Sequence, residues 1–123
     1  MKVFIADDSL EVRKRIIAML SDLQKIDIIG EAENVQEAIN SIQELKPDVI
    51  ILDIRMPGGS GIDVLKKIKK INHVPVIIML TNYPYPQYRK TCLDAGADFF
   101  FDKSGEFEKV VDVLRGISIG GVL

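Results

Sequence analysis

Cysteine is almost missing from this 123-residue chain: Cys92 stands alone, so no internal disulfide can form. With no resolving partner it reads as a small packed residue. Histidine is equally scarce, and His73, in an apparent loop without a companion, reads as a surface residue. Neither sign of charge dominates. The formal net charge of −2 gives no general attraction to nucleic acid phosphates or anionic lipid, so direct nucleic acid or membrane binding is not expected. No apolar run approaches the roughly 20 residues of a membrane-spanning helix. The start, MKVFIADDS, lacks the apolar core and small-residue cleavage site of a secretory signal, which makes the cytoplasm the expected compartment.

What the chain does have is 47% hydrophobic against 28% charged residues, the balance of a globular protein, in a length that suits one domain. The apolar residues cluster in nearly continuous Val, Ile, Leu and Met runs at 2–6, 48–53 and 75–80, with weaker strands at 27–32 and 98–101. Such runs fit strands covered on both faces. Between them Val12, Ile16, Leu20 and Leu23 recur at helical spacing, as do Val35, Ala38, Ile39, Ile42 and Leu45. The second of these helices begins at Asn34, with Glu37 three residues on in an arrangement close to a capping box, and Pro47 closes the loop that leaves it. Val64, Leu65, Ile68 and Ile71 mark a third helix after Ser60, and Phe107, Val110, Val111, Leu114 and Ile117 the last. A fourth is expected from about Pro86 to Ala95, where Pro84 and Pro86 crowd its start.

Five βα units with right-handed crossovers predict an α/β fold: a doubly wound five-stranded parallel sheet with helices on both faces. The flavodoxin-like order 2-1-3-4-5 places the most apolar runs centrally and the weaker second and fifth at the edges. Residues 1–118 are read as the domain and 119–123 as a C-terminal tail, with Ser118 to Gly121 expected to fray.

In that topology the apolar runs deliver Asp7 and Asp8, Asp53, Thr81 and Lys103 to one rim of the sheet, where open α/β sheets bind ligands. Crowded carboxylates favour protonation unless a cation is present. Magnesium suits the set, because it takes oxygen ligands and binds through one or two carboxylates plus phosphate oxygen. A carboxylate beside bound magnesium can attack a phosphoryl group in line, and Asp53, ending the central strand, is the candidate nucleophile. Thr81 can donate a hydrogen bond to a phosphoryl oxygen while Lys103 neutralises another.

The pieces VFIADDS, DVIILDIRMPGGSGIDVL, VIIMLT and AGADFFFDKS together resemble the receiver domain of two-component response regulators over essentially the whole chain. The resemblance implies that Asp53 is the phosphoacceptor. Asp8 and Asp53 would be direct magnesium ligands with the backbone carbonyl of Arg55, and Asp7 would act through bound water. Thr81 and Lys103 would complete the phosphoryl site. A sensor histidine kinase or phosphotransfer protein would supply the phosphate. Thr81 would then turn inward and Phe100, the aromatic at the switch position, would fill the space vacated. The domain assists its own phosphorylation and phosphate loss but turns over no external substrate, so it is expected not to be an enzyme. Its output face would be helix four, strand five and helix five, used for a homodimer or a downstream protein.

Departures from the pattern bear on rate and output. Ser104 follows Lys103 where many members have proline, and Asn82 follows Thr81 where most have a smaller residue, which restricts access to the phosphoryl site. Phe100 lacks the hydroxyl of the commoner tyrosine. Arg55 and Tyr83 occupy positions whose side chains tune dephosphorylation. Tyr83, Tyr85 and Tyr88 fit partner contact and ordinary packing equally well.

Simpler roles account for other features. Lys66, Lys67, Lys69 and Lys70 read as a solvated helix face, and Gly58, Gly59 and Gly61 as a flexible loop around Asp53 and not a phosphate cradle. A haloacid-dehalogenase-type phosphatase would carry Asp-x-Asp after the first strand and a cap, for which Asp7-Asp8-Ser9 and the chain length leave no place. A flavodoxin would need a Ser, Thr or Gly-rich phosphate loop there, where two aspartates would repel the phosphate. A constitutive interaction domain on the same fold fits poorly with the complete set of five site residues. With no output domain after residue 117, signalling by this chain is expected to pass through a partner surface, a dimer or onward phosphotransfer.

Overall fold

The computed structural model describes residues 1–70 and 74–120, the last three as backbone alone. The Ile71 position of the third helix, the loop placement of His73 and the Gly121 end of the tail fall outside the described residues. Five strands, β1 (Lys2–Ala6), β2 (Asp27–Ala32), β3 (Val49–Leu52), β4 (Val76–Thr81) and β5 (Phe99–Asp102), form one sheet. All are parallel, in the order β2-β1-β3-β4-β5. The helices α1 (Leu10–Leu20), α2 (Val35–Leu45), α3 (Gly61–Ile68), α4 (Pro86–Asp94) and α5 (Lys109–Gly120) connect them. The predicted fold and strand order are those observed. The backbone of α5 runs through Ser118 and Ile119 to Gly120.

Alternation along each strand splits the core in two. Phe4, Ala6, Ile50, Leu52, Ile77, Met79 and Phe100 face α2, α3 and α4. The intervening Val3, Ile5, Val49, Ile51, Ile78 and Leu80 face α1 and α5. A strand of period two buried on both faces has no place for a polar residue until it ends. The first polar groups of β1, β3 and β4 therefore appear together, at one edge: register pairs Ala6 with Leu52, and Leu52 with Met79.

Local signals fix where the helices start. Ser9 caps α1 by accepting the Val12 N–H at 3.2 Å. Asn34 caps α2 through the Glu37 N–H at 2.9 Å, but the Glu37 carboxylate accepts from the Asn34 side-chain amide and not from its backbone. The reciprocal capping box lies at α3, where Ser60 accepts from Ile62 and Asp63 while Asp63 accepts from the Ser60 N–H. Lys46 ends α2 at φ +50, just before Pro47. Pro86 opens α4 without a side-chain cap, a position where its missing N–H is no loss.

Loss of the Ser60 hydroxyl removes one half of the α3 box while burying nothing new. Ser60→Ala should lower the free energy of unfolding by about 1 kcal/mol, read from the urea midpoint at unchanged slope.

Candidate functional site

The loops that leave β1, β3 and β5 bring three predicted residues into direct contact. The Lys103 ammonium lies 2.6 Å from Asp7 Oδ2 and 3.1 Å from Asp53 Oδ2. All three side chains are nearly closed to solvent, with Lys103 9%, Asp53 5% and Asp7 2% exposed. Asp8 stands at the mouth, exposed. Ligand oxygens of Asp7, Asp8 and Asp53 lie within 4.8 Å of one another.

Each carboxylate is held differently. Asp53 accepts the following backbone N–H, that of Ile54, at 2.7 Å on Oδ1, leaving Oδ2 to Lys103. Asp7 Oδ1 accepts the Ser9 N–H at 2.9 Å, so the residue that caps α1 also orients the acid before it. Burial raises the pKa of Asp53 and outweighs the lowering by Lys103; the neighbouring charge of Asp7 raises it further. Burial also opposes the charge on Lys103, but its hydrogen bond to Asp7 and the field of both aspartates win and hold its pKa above the ordinary value. Two of the three carboxylates thus share one ammonium, and the site carries more negative than positive charge. An all-oxygen donor set with a deficit of positive charge fits a hard divalent cation.

Thr81 is fully buried at the end of β4, and its hydroxyl accepts the Tyr83 N–H at 3.0 Å. Its carbonyl accepts the Lys103 N–H at 2.9 Å, which ties the β4 and β5 ends together. Phe100 lies inside, 4% exposed, with Arg89 of α4 donating to its carbonyl at 3.2 Å. The Arg55 guanidinium lies 3.9 Å over the Tyr83 ring. Tyr85 packs between Tyr83 and Tyr88, with ring centroids at 6.4 and 5.7 Å, yet remains 48% exposed. Asp8 lines an open groove of about 620 Å³ with Arg55, Met56, Pro57 and Tyr88, an approach to the site from solvent.

The glycine segment is more ordered than the flexible loop expected from its sequence. Arg55–Met56 and Gly59–Ser60 pair antiparallel, with Gly58 at φ +89 and Gly59 at φ +145. Gly61 donates to the Ile54 carbonyl at 2.5 Å, and a Cβ there would run into the Asp53 carbonyl oxygen. A side chain is incompatible with that approach. Cys92 is fully buried and its thiol is pushed up to about 11 by burial, as suits a packed residue.

Sequence reasoning missed Arg13. It is 8% exposed in the first turn of α1, with Nη1 donating to the Asp7 carbonyl at 2.6 Å and Nε to Glu31 at 3.0 Å. A charged residue beside Val12 on an amphipathic helix gives no signal of burial, and no local pattern in the sequence reports its pairing with Glu31.

Fold and site together define a class: doubly wound α/β proteins with a metal-competent acidic pocket and a buried lysine at the carboxyl edge of the sheet. The family model of the response regulator receiver domain matches residues 3–115, and the chain belongs to that family, the regulatory receiver module of two-component systems. A protein-glutamate methylesterase/protein-glutamine glutaminase from Carboxydothermus hydrogenoformans is 42% identical over 116 residues, covering 93% of this chain and 34% of that protein. The response regulator domain of Thermotoga maritima CheB superposes with a TM-score of 0.85 at 29% identity, covering 96% of this chain and 93% of that one. The isolated REC domain of RcsB from Salmonella enterica serovar Typhimurium, solved with the phosphomimetic BeF3−, gives 0.88 at 31% identity, covering 98% and 89%. The chain spans about a third of the length of the curated methylesterase it matches. No helix among the described residues is long and apolar enough to cross a membrane.

Asp53 holds its proton to higher pH folded than unfolded, so its contribution to stability falls as pH rises from the ordinary carboxylate range toward its raised folded value. Removing Lys103 deletes the main influence that opposes this. Lys103→Met should cost about 3 kcal/mol at neutral pH and distinctly less near about pH 5, measured by urea unfolding at both. Gly61→Ala should cost at least about 2 kcal/mol in the same assay, because the obstacle is backbone.

Proposed function

We propose that this receiver domain accepts a phosphoryl group on Asp53 in a magnesium-dependent transfer from a sensor histidine kinase or phosphotransfer protein. The observation that carries this reading is the Lys103 bridge between buried Asp7 and Asp53, with Asp8 at the mouth. It provides a nucleophile, an anion-neutralising cation and an all-oxygen metal pocket within one hydrogen-bonded group.

Asp8 and Asp53 would hold the ion with the backbone carbonyl of Arg55, and Asp7 would act through bound water. Magnesium, when bound, draws charge from the phosphoryl oxygens and lowers the repulsion between them and the acids. The Ile54 N–H already occupies Asp53 Oδ1, so Oδ2 is the oxygen that attacks phosphorus, exchanging its Lys103 contact for a P–O bond. The donor's P–N bond breaks and the imidazole leaves with the electron pair. Lys103 follows the charge to a phosphoryl oxygen, a short move within its present site. The Thr81 hydroxyl accepts the Tyr83 N–H through a lone pair, so its own proton remains available to donate to another phosphoryl oxygen. Phe100 already lies inside, and the Tyr83 N–H ties Thr81 to the segment that leads to α4.

Transmission from Thr81 to α4 and β5 fits a partner surface of α4, β5 and α5, for a second copy or a downstream protein. The chain acts in the cytoplasm as a regulatory module.

Incubation with Mg²⁺ and acetyl phosphate should add one phosphoryl mass to the intact chain, and Asp53→Ala should abolish it. A folded wild-type chain that stays unmodified overturns the reading. Asn82→Ala should speed the adduct's formation if Asn82 restricts access, with about a threefold change in rate readable by the same assay.

A further inference from the structure

Arginine is rarely buried unless it is paired, and Arg13 is paired in a way that reaches the acidic turn through its backbone. The Asp7 carbonyl that accepts Nη1 at 2.6 Å belongs to the peptide joining Asp7 to Asp8. Because a peptide unit is planar, fixing its oxygen fixes the plane from which the Asp8 Cα departs. Asp7 is anchored at its other polar atoms as well: its N–H donates to Ala32 at 3.0 Å, Oδ1 accepts from Ser9 and Oδ2 from Lys103. The Asp8 carboxylate has no hydrogen-bond or ion-pair partner among the described residues. The start and direction of its Cα–Cβ bond are therefore set by the backbone. On the far side, Nε of Arg13 is held at 3.0 Å by Glu31, a β2 residue in register with Ile5 of β1. The Arg13 N–H bonds the Ser9 carbonyl at 3.1 Å, which closes the ring of contacts around the turn.

We propose that Arg13 is a positioning residue: clamped between Glu31 and the Asp7 carbonyl, it aims Asp8 at the divalent cation. The inference rests on the metal reading above, and deepens it by adding a residue that touches no ligand. It also makes a prediction of opposite sign to the alternative. A bystander cation near a metal site repels the metal, so neutralising it should tighten binding. A positioning cation, once removed, releases Asp8 and weakens binding.

The test uses Mn²⁺ as probe, with free ion counted by electron paramagnetic resonance, on the full chain without phosphodonor. Melting temperature is followed in parallel without metal. Wild type should bind, and Asp8→Asn should weaken it; wild type that binds no Mn²⁺ overturns the metal reading and this inference with it. Arg13→Met should weaken Mn²⁺ about tenfold. Arg13→Lys, which keeps the charge but not the two-armed fork, should fall between, about threefold weaker. Arg13→Met that binds Mn²⁺ as well as or better than wild type, with only its melting temperature lowered, overturns the proposal while leaving the metal reading intact. If Arg13→Met does not fold, Arg13→Lys decides: wild-type affinity there overturns it.

Discussion

The structure turns on one ammonium group shared by two buried carboxylates. Lys103 lies between Asp7 and Asp53, and each contact is worth a few kcal/mol in gross attraction at the dielectric appropriate to such sites. Desolvating three charges costs a comparable amount. The bridge is therefore close to neutral for stability, and its consequence is poise: removal of Lys103 leaves two buried carboxylates unpaired, removal of either acid leaves a matched pair, and arrival of a new anion gives Lys103 somewhere else to go. Everything around it serves to keep that arrangement in place. The sheet order puts β1, β3 and β5 ends within reach, the Thr81 carbonyl ties Lys103 by its backbone, and Gly61 closes against the Asp53 carbonyl where no side chain fits.

The two-faced core explains why a change at this edge does not stay there. Phe100 and Met79 belong to the cluster under α2, α3 and α4, while Leu80 and Phe107 belong to the cluster under α1 and α5. Thr81 ends the strand that contributes to both. Its hydroxyl is engaged by the first residues of the segment leading to α4, where Arg55 lies over Tyr83 and the rings of Tyr83, Tyr85 and Tyr88 pack at tilted angles in one group. A rotation at Thr81, as proposed, would be felt first by three tyrosines, of which Tyr85 presents half its surface to solvent. Packed groups of this kind have discrete arrangements, which is how a small local charge change becomes a surface change.

Strand runs, helix periodicity and sheet order were legible in the sequence because they depend on patterns that survive without contacts. Doubly buried strands must be continuously apolar, and the polar residues that end them must then share an edge. Asp53, Asp7 and Lys103 could be placed together on that argument, before any geometry. The ordered turn at residues 55–60 was not legible: its pairing is two residues long, and Gly58 and Gly59 signal freedom in a sequence when their positive φ angles in fact specify one conformation. Arg13 was hidden for a related reason. Its burial is decided by Glu31, eighteen positions away on another element, and no local pattern reports such a pair. Asn34 and Glu37 have a spacing close to a capping box, yet the full reciprocal geometry forms at Ser60 and Asp63, because the N3 carboxylate can accept either from the cap's side chain or from its backbone N–H.

The central claim is that, of three clustered aspartates, Asp53, the one held by both Lys103 and the Ile54 N–H, is the nucleophile. Reduction of the phosphorylated chain with borohydride, which converts an acyl phosphate to an alcohol, followed by peptide mapping, tests it at the level of the residue. The account predicts conversion at Asp53 alone. Conversion at Asp7 or Asp8 with Asp53 intact would contradict it.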